Sequence, residues 1–240
     1  MWHWDQGHLA FFQFEALRRI SVAVRKHDFL TISRDLAEAE TGLDFPAPKT
    51  HTLWRQYSRV LKLCLLVSKA EGRAQATSVA AAFSKPGAIT CDDFFHFLVR
   101  SFTEPSPALN GWDPDAEFRF PLLFALKYLL TKRTMGCDPA SIDELIGAYR
   151  VTGFAGGEGP DQFISAIDQG DAYEAQGRGA PTKTRRQARE SLLVMAQISY
   201  LHVEGPGPTI SVSLDKADAG DICCFSAFLA RWPQFSLEPK

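Results

Sequence analysis

Residues 183–214, KTRRQARESLLVMAQISYLHVEGPGPTISVSL, change their hydrophobic period about halfway along. From residue 184 to residue 199 the apolar residues recur at three- and four-residue steps, which predicts an amphipathic helix. Residues 200–204 and 209–214 are instead rich in residues that favour strands, and the Gly/Pro sequence between them favours a tight turn. This stretch therefore predicts a helix followed directly by a β-hairpin.

The predicted helix carries its cations in its first turns. A helical projection at about 100° per residue puts the apolar contacts on one side, namely Ala188, Leu192, Met195 and Ser199. It puts a mostly polar set roughly opposite, namely Arg186, Glu190, Leu193 and Gln197. Because lysine or arginine at a helix N-terminus opposes the helix dipole, the cluster costs stability unless an anion lies beside it. The pattern favours an anionic partner over the alternative, a solvated basic turn.

A recognition helix uses its N-terminal residues to reach base edges in the major groove of DNA. Arginine can bridge O6 and N7 of guanine, and glutamine can pair with adenine. Lys183, Arg185 and the preceding Arg178 are suited to backbone phosphates. The predicted DNA-binding residues are Arg178, Lys183, Thr184, Arg185, Arg186, Arg189 and Gln197.

Upstream of this helix, the periodicity predicts a helix over residues 118–132 and a second helix that begins at Asp138-Pro139, with the aspartate as cap. A glycine-rich loop, a short segment over residues 160–167 and a polar stretch over residues 169–180 follow. A three-helix unit followed at once by a hairpin is the order of elements in a winged helix-turn-helix. The predicted fold class is mainly α, with this winged domain in the second half.

The first half predicts helices over residues 9–26, 33–41, 53–68, 77–83 and 91–102, with Ser33 and Thr90 as N-caps. The last three suit a first helix-turn-helix and a plain helical bundle equally well. The last helix, over residues 91–102, begins with Asp92 and Asp93, which would repel phosphate, and no pair of strands is predicted after it. Prolines between residues 103 and 114 indicate a linker. The predicted domains are residues 1–110 and residues 111–240.

Composition limits the classes of function. The formal net charge of −2 differs from that of a typical free-standing nucleic-acid binder, so any basic surface must be local. The five cysteines form no metal-binding or disulfide pattern and favour a reducing compartment. No apolar run is long enough to cross a membrane, and the first residues lack the pattern of a secretory signal. The expected location is the cytoplasm.

The run from Arg185 to Leu192, continued by Ile198-Ser199-Tyr200-Leu201, resembles the winged-helix specificity regions of bacterial restriction and other defence endonucleases. The opening sequence, WHWDQG at residues 2–7, adds to the resemblance. The resemblance implies double-stranded DNA as the partner, a nuclease domain or subunit beyond this region, and sensing of modified, for example methylated, bases.

Trp2, Trp4 and Asp5 form a second candidate site. Two aromatic rings beside a carboxylate could hold an unstacked base and hydrogen-bond its edge. The alternative is that the tryptophans anchor the N-terminus on a hydrophobic core.

The sequence offers no catalytic constellation, metal-binding spacing or cofactor motif, so the expectation is a module that is non-catalytic by itself. Two other functions stay open. One is a protein-interaction scaffold, which a net charge of −2 suits, and the other is a stand-alone transcriptional regulator. A homodimer is compatible with each of them.

Overall fold

The computed structural model of the chain describes residues 9–46, 48, 50–109, 113, 115–177, 179–205 and 211–214. These residues are mainly helical, as predicted, with small antiparallel sheets. They divide into two compact units between Phe118 and Arg119, whereas the sequence predicts a boundary near residue 110. No helix within the described residues combines the length and the apolar composition that a membrane crossing requires.

In the first unit, helices precede and follow a β-hairpin along the chain. In chain order its elements are a 3₁₀ helix Leu9–Phe12, α1 Phe14–Lys26, α2 Arg34–Thr41, α3 Leu53–Leu63, β1 Val67–Ala70, β2 Arg73–Ala76, α4 Ser78–Phe83 and α5 Cys91–Ser101. Rings from several of these elements build its core: Phe11 stacks on Phe45, and both contact Tyr57 of α3.

Local capping chemistry determines where most of these helices begin. Ser33 accepts a hydrogen bond from the backbone of Leu36 and caps α2, as predicted. Thr90 caps α5 in a reciprocal box with Asp93, which confirms the second predicted cap. Each hydroxyl satisfies a backbone N–H that the first turn leaves without an intrahelical partner.

The prediction of one helix over residues 53–68 is wrong. Helix α3 ends at Leu63, and Leu65 has a positive φ of 55°, which no helix can continue through. The chain then forms an antiparallel hairpin, β1–β2, through a two-residue turn at Glu71 and Gly72 with φ values of 51° and 72°. Positive φ at both central positions is the geometry that matches the twist of a two-residue hairpin.

The second unit combines helices with a three-stranded sheet. In chain order its elements are α6 Pro121–Met135, β3 Ala140–Ser141, α7 Ile142–Thr152, α8 Pro160–Ala175, α9 Thr182–Met195, β4 Leu201–Glu204 and β5 Ser211–Leu214. The two strands predicted after α9 are confirmed. Strand β3 adds to their hairpin from an earlier part of the chain, so the strand order is β3-β5-β4, antiparallel throughout.

Two predictions for this unit are wrong. Asp138 does not cap a helix, because the chain first forms β3, and Ser141 caps α7 in a reciprocal box with Glu144. The second is the three-helix unit, because the short segment at residues 160–167 is part of a helix that continues to Ala175, so four described helices of this unit precede the hairpin. Phe163, Ala166, Ile167 and Gly170 form its buried side, at the i, i+3, i+4 and i+7 spacing of an amphipathic helix.

Candidate nucleic-acid interface

Helix α9 is fixed to the second unit by its apolar side. Ala188, Leu192 and Met195 are buried, as the helical projection predicts. Glu190 is also buried, at 7% exposure, so its predicted place on the outer side is wrong. The outer side of α9 is therefore narrower than predicted, and it lies mainly in the first two turns.

The first two turns present two exposed cations. Lys183 and Arg186 are exposed, and within the described part of the chain neither makes a hydrogen bond or an ion pair through its side chain. Thr184, next to Lys183, is half-buried. Two of the predicted DNA-binding cations are thus available to a ligand.

Arg185 is held by a carboxylate of its own unit. Its Nε lies 3.0 Å from Oδ1 of Asp143 and its Nη2 lies 2.6 Å from Oδ2, a two-point ion pair between α9 and α7. Asp143 also accepts a hydrogen bond from the backbone N–H of Ala180, at 3.2 Å. Asp143 and Arg185 therefore position the start of α9, a role for Asp143 that no local sequence pattern indicates, because the two residues are 42 positions apart.

Arg189 and Gln197 lie farther along the same segment. Arg189 is half-buried, and its Nε atom is buried without a hydrogen-bond partner among the described residues. Gln197 follows the end of α9 and donates to the backbone carbonyl of Val194. Four of the predicted residues lie outside the described part of the chain: Arg178, Trp2, Trp4 and Asp5.

The N-terminus of α9 lacks a side-chain cap. Pro181 occupies the N-cap position, no described side chain accepts a hydrogen bond there, and the first turn contains no acidic residue. The free N–H groups and the positive end of the helix dipole therefore face the same region as Lys183 and Arg186. Such an end attracts an anion.

Most of the other described cations of the second unit make contacts within it. Lys127 donates to the carbonyls of Gly156 and Glu158, and Arg119 donates to that of Phe154. Lys132 pairs with Glu144, at 2.6 Å, and Arg133 pairs with Asp138, at 3.0 Å. Among the cations described between Arg119 and the start of α9, Arg150 is the one that is exposed, and its Nη1 lies 3.5 Å from the hydroxyl of Tyr173.

Acidic residues occupy a different helix of this unit. Helix α8 contains no lysine or arginine, and its acidic side chains are all exposed: Asp161, Asp168, Asp171 and Glu174. Strand β4 exposes His202 and one acid, Glu204. A polyanion would therefore be repelled by α8 and attracted by the start of α9.

A shallow cavity of about 380 Å³ lies in the first unit, between the N-termini of α2 and α3. Its polar groups already serve the fold, since Ser33 and Thr52 cap the two helices and His51 hydrogen-bonds with Gln56. Within the described residues no three His, Cys, Asp or Glu side chains come together to hold a metal ion.

Comparison of the chain with known protein families, with characterised proteins and with solved structures finds no match.

Proposed function

We propose that the chain binds double-stranded DNA through the second unit, with the start of α9 in the major groove and the β4–β5 hairpin beside the flanking backbone. The observation that carries the proposal is the uncapped N-terminus of α9 with Lys183 and Arg186 exposed at it. Cations at the positive end of a helix are unfavourable unless an anion compensates them. Asp143 pairs with Arg185 but not with Lys183 or Arg186, and DNA would supply phosphates for those two.

The strand pairing supports a winged helix-turn-helix for this unit, with one more described helix than the usual three before the hairpin. A short strand between the first two helices that pairs with the second strand of a terminal hairpin is the winged-helix arrangement, and β3 pairs with β5 in this way. The helix that directly precedes the hairpin is α9. In such domains that helix is the one that enters the major groove, which is about 12 Å wide.

The resemblance of residues 185–201 to specificity regions of restriction and defence endonucleases supports a more specific role. We propose a DNA-recognition module of such a system, non-catalytic by itself, that acts with a nuclease domain or subunit in the cytoplasm. A preference for modified bases belongs to the same proposal, and the test compares methylated with unmethylated duplexes. A stand-alone transcriptional regulator would use the same docking surface.

Arg186→Ala is expected to weaken binding to the preferred duplex by roughly 1 to 3 kcal/mol, about 5- to 150-fold in Kd, and to relax base preference at one position. Lys183→Ala is expected to weaken binding to all duplexes evenly and to reduce the slope of log Kd against log salt by about 1, because it removes one phosphate contact. Fluorescence anisotropy of the full chain on labelled duplexes, from low to moderate salt, measures both effects.

Asp168→Ala is the control variant. It also truncates one exposed charged side chain to alanine, but on α8, where an acidic side chain should not touch DNA. It should bind DNA at least as well as the unaltered chain. Binding that is absent at low salt, or that is insensitive to salt and to both α9 substitutions, contradicts the proposal.

Asp143→Ala is expected to increase affinity for DNA about fivefold at low salt. The change releases the Arg185 guanidinium and removes a negative charge next to the docking surface, which is equivalent to about 1 kcal/mol for one charge near a protein surface. The same titrations measure it, with Asp168→Ala as the charge-matched comparison. Weaker binding by Asp143→Ala, with the fold intact by circular dichroism, would mean that the ion pair is needed to orient α9.

The acidic surface of α8 favours a second candidate function, a protein-interaction scaffold. Ile164 is 43% exposed among the acids of α8, and Val151 of α7 is 57% exposed. An apolar side chain with Asp161 and Asp168 three and four positions away on the same helix suits a protein partner better than a nucleic acid. This function predicts a stable oligomer or complex by light scattering that survives reversal of the charges at Arg185, Arg186 and Arg189.

A further inference from the structure

Helix α3 of the first unit presents a stripe of cations to solvent. Arg55, Arg59 and Lys62 follow one another at steps of four and three residues, so they lie on one side of the helix, over about 10 Å of its length. Arg55 and Arg59 are exposed, and their guanidinium groups make no hydrogen bond or ion pair with another described residue. Lys62 lies with its ammonium 5.5 Å from the centre of the Trp54 ring.

The opposite side of α3 holds the helix in place. Leu53, Tyr57, Val60 and Leu61 are buried in the core of the first unit. Tyr57 packs against both Phe11 and Phe45. The cationic stripe is therefore carried by a helix whose orientation the core determines, and it needs no rearrangement to meet a ligand.

A hairpin follows α3 directly. Strand β1 starts four residues after α3 ends and contacts it, and exposed Lys69 and Arg73 lie on either side of the β1–β2 turn. The turn itself contains one acid, Glu71. Asp28, in the loop after α1, accepts a hydrogen bond from the backbone of Ala74 and ties the hairpin to the helices.

The local charge of this segment is opposite to that of the whole chain. Between Asp44 and Glu71 the sequence contains no acidic residue at all, although the formal net charge of the chain is −2. The segment between these two acids therefore offers no carboxylate of its own to offset the charges of Arg55, Arg59 and Lys62.

We infer that α3 and the β1–β2 hairpin form a second docking surface for double-stranded DNA, in addition to that of α9. A helix with a row of cations, followed by a two-stranded hairpin with cations at its turn, has the parts that a winged helix uses on the major groove and the flanking backbone. The inference extends the proposed DNA-binding function, but it rests on residues of the other unit, so each can fail separately.

Duplex DNA fits this surface better than RNA. The major groove of B-form DNA admits an α-helix, whereas the major groove of A-form RNA is too narrow for side chains to enter. Aromatic side chains that could stack on unpaired bases are few here, because Tyr57 is buried and Trp54 is half-buried beside Lys62.

The test combines the substitutions Arg55→Gln and Arg59→Gln in the full chain. The double variant is titrated against a labelled duplex of about 30 base pairs. Two phosphate contacts are lost, so the slope of log Kd against log salt should fall by about 2, and Kd at 100 mM salt should rise at least tenfold. The matched control is Arg19→Gln with Lys85→Gln, which removes the same charge from exposed positions on α1 and after α4 of the same unit. It should change Kd less than threefold.

The outcomes separate the two surfaces. If the double variant of Arg55 and Arg59, called the α3 pair, binds DNA like the unaltered chain while Arg186→Ala binds weakly, the second surface is ruled out and the α9 surface stands. If the α3 pair binds weakly while Arg186→Ala binds normally, the second surface stands and the α9 proposal falls. Equal losses in the α3 pair and its control overturn the inference, as does a loss seen equally on single-stranded DNA. Circular dichroism and the melting temperature establish that each variant is folded.

Discussion

Glu144→Ala is expected to lower the free energy of unfolding of the second unit by about 3 to 5 kcal/mol. The Glu144 carboxylate is buried, with 4% of its side chain exposed, and Oε1 accepts from the Lys132 ammonium at 2.6 Å and the Tyr128 hydroxyl at 2.5 Å. The Lys132 side chain is only 5% exposed. Removing the carboxylate leaves this ammonium buried beside a hydroxyl that has lost its acceptor, which costs far more than a surface ion pair would.

The unpaired charge, rather than the lost volume, should dominate the effect. Lys132→Met in the Glu144→Ala background removes that charge, so the double variant should recover a large part of the lost stability. Urea unfolding followed by circular dichroism measures all the variants. A loss below about 1 kcal/mol for Glu144→Ala would mean that Asp171, whose carboxylate lies 4.0 Å from the Lys132 ammonium, compensates the charge.

Two neighbouring carboxylates at the start of α7 connect this buried cluster to the proposed DNA surface. Glu144 turns inward to Lys132 and Tyr128, while Asp143 turns to Arg185 of α9. The same turn of helix thus determines the packing of α6 against α7 and the position of α9. Variants of Glu144 should therefore be compared for DNA binding only at temperatures well below their unfolding transitions.

Helix starts governed by short-range chemistry could be predicted from the sequence. Ser33 and Thr90 cap helices because each hydroxyl reaches a backbone N–H only three residues away. Asp138 is predicted to be an N-cap because an aspartate before a proline is a common helix start, but α7 begins three residues later with Ser141 as its cap. The difference is that β3 pairs with β5, a contact with residues 211–212 that no local pattern contains.

The sequence predicts only in part which cations of the candidate site are exposed to a ligand, again because contacts between distant residues decide it. A helical projection places Arg185 and Arg186 in the same turn, but it cannot show that Asp143, 42 positions earlier, binds one of them and leaves the other exposed. The β1–β2 hairpin was missed because its strands, VSKA and RAQA, contain a single β-branched residue. The apolar residues before it continue the helical period of α3 past its real end.

Gly147→Ala is expected to lower the free energy of unfolding by about 3 kcal/mol, although alanine favours a helix over glycine by about 1 kcal/mol. A Cβ atom at Gly147 of α7 would lie 2.5 Å from Cγ and 2.7 Å from Cβ of Tyr173 on α8, and a clash with a Cβ atom cannot be relieved by rotating the ring. Tyr173→Gly in the same chain removes the Cβ as well as the ring and should restore part of the loss, less the cost of about 1 kcal/mol for a glycine within α8. Gly157→Ala, where an added Cβ meets nothing within 4 Å, should change stability by less than about 0.5 kcal/mol. Urea unfolding of the three variants measures these differences. A stabilising Gly147→Ala would mean that α7 and α8 do not approach each other closely enough to require glycine.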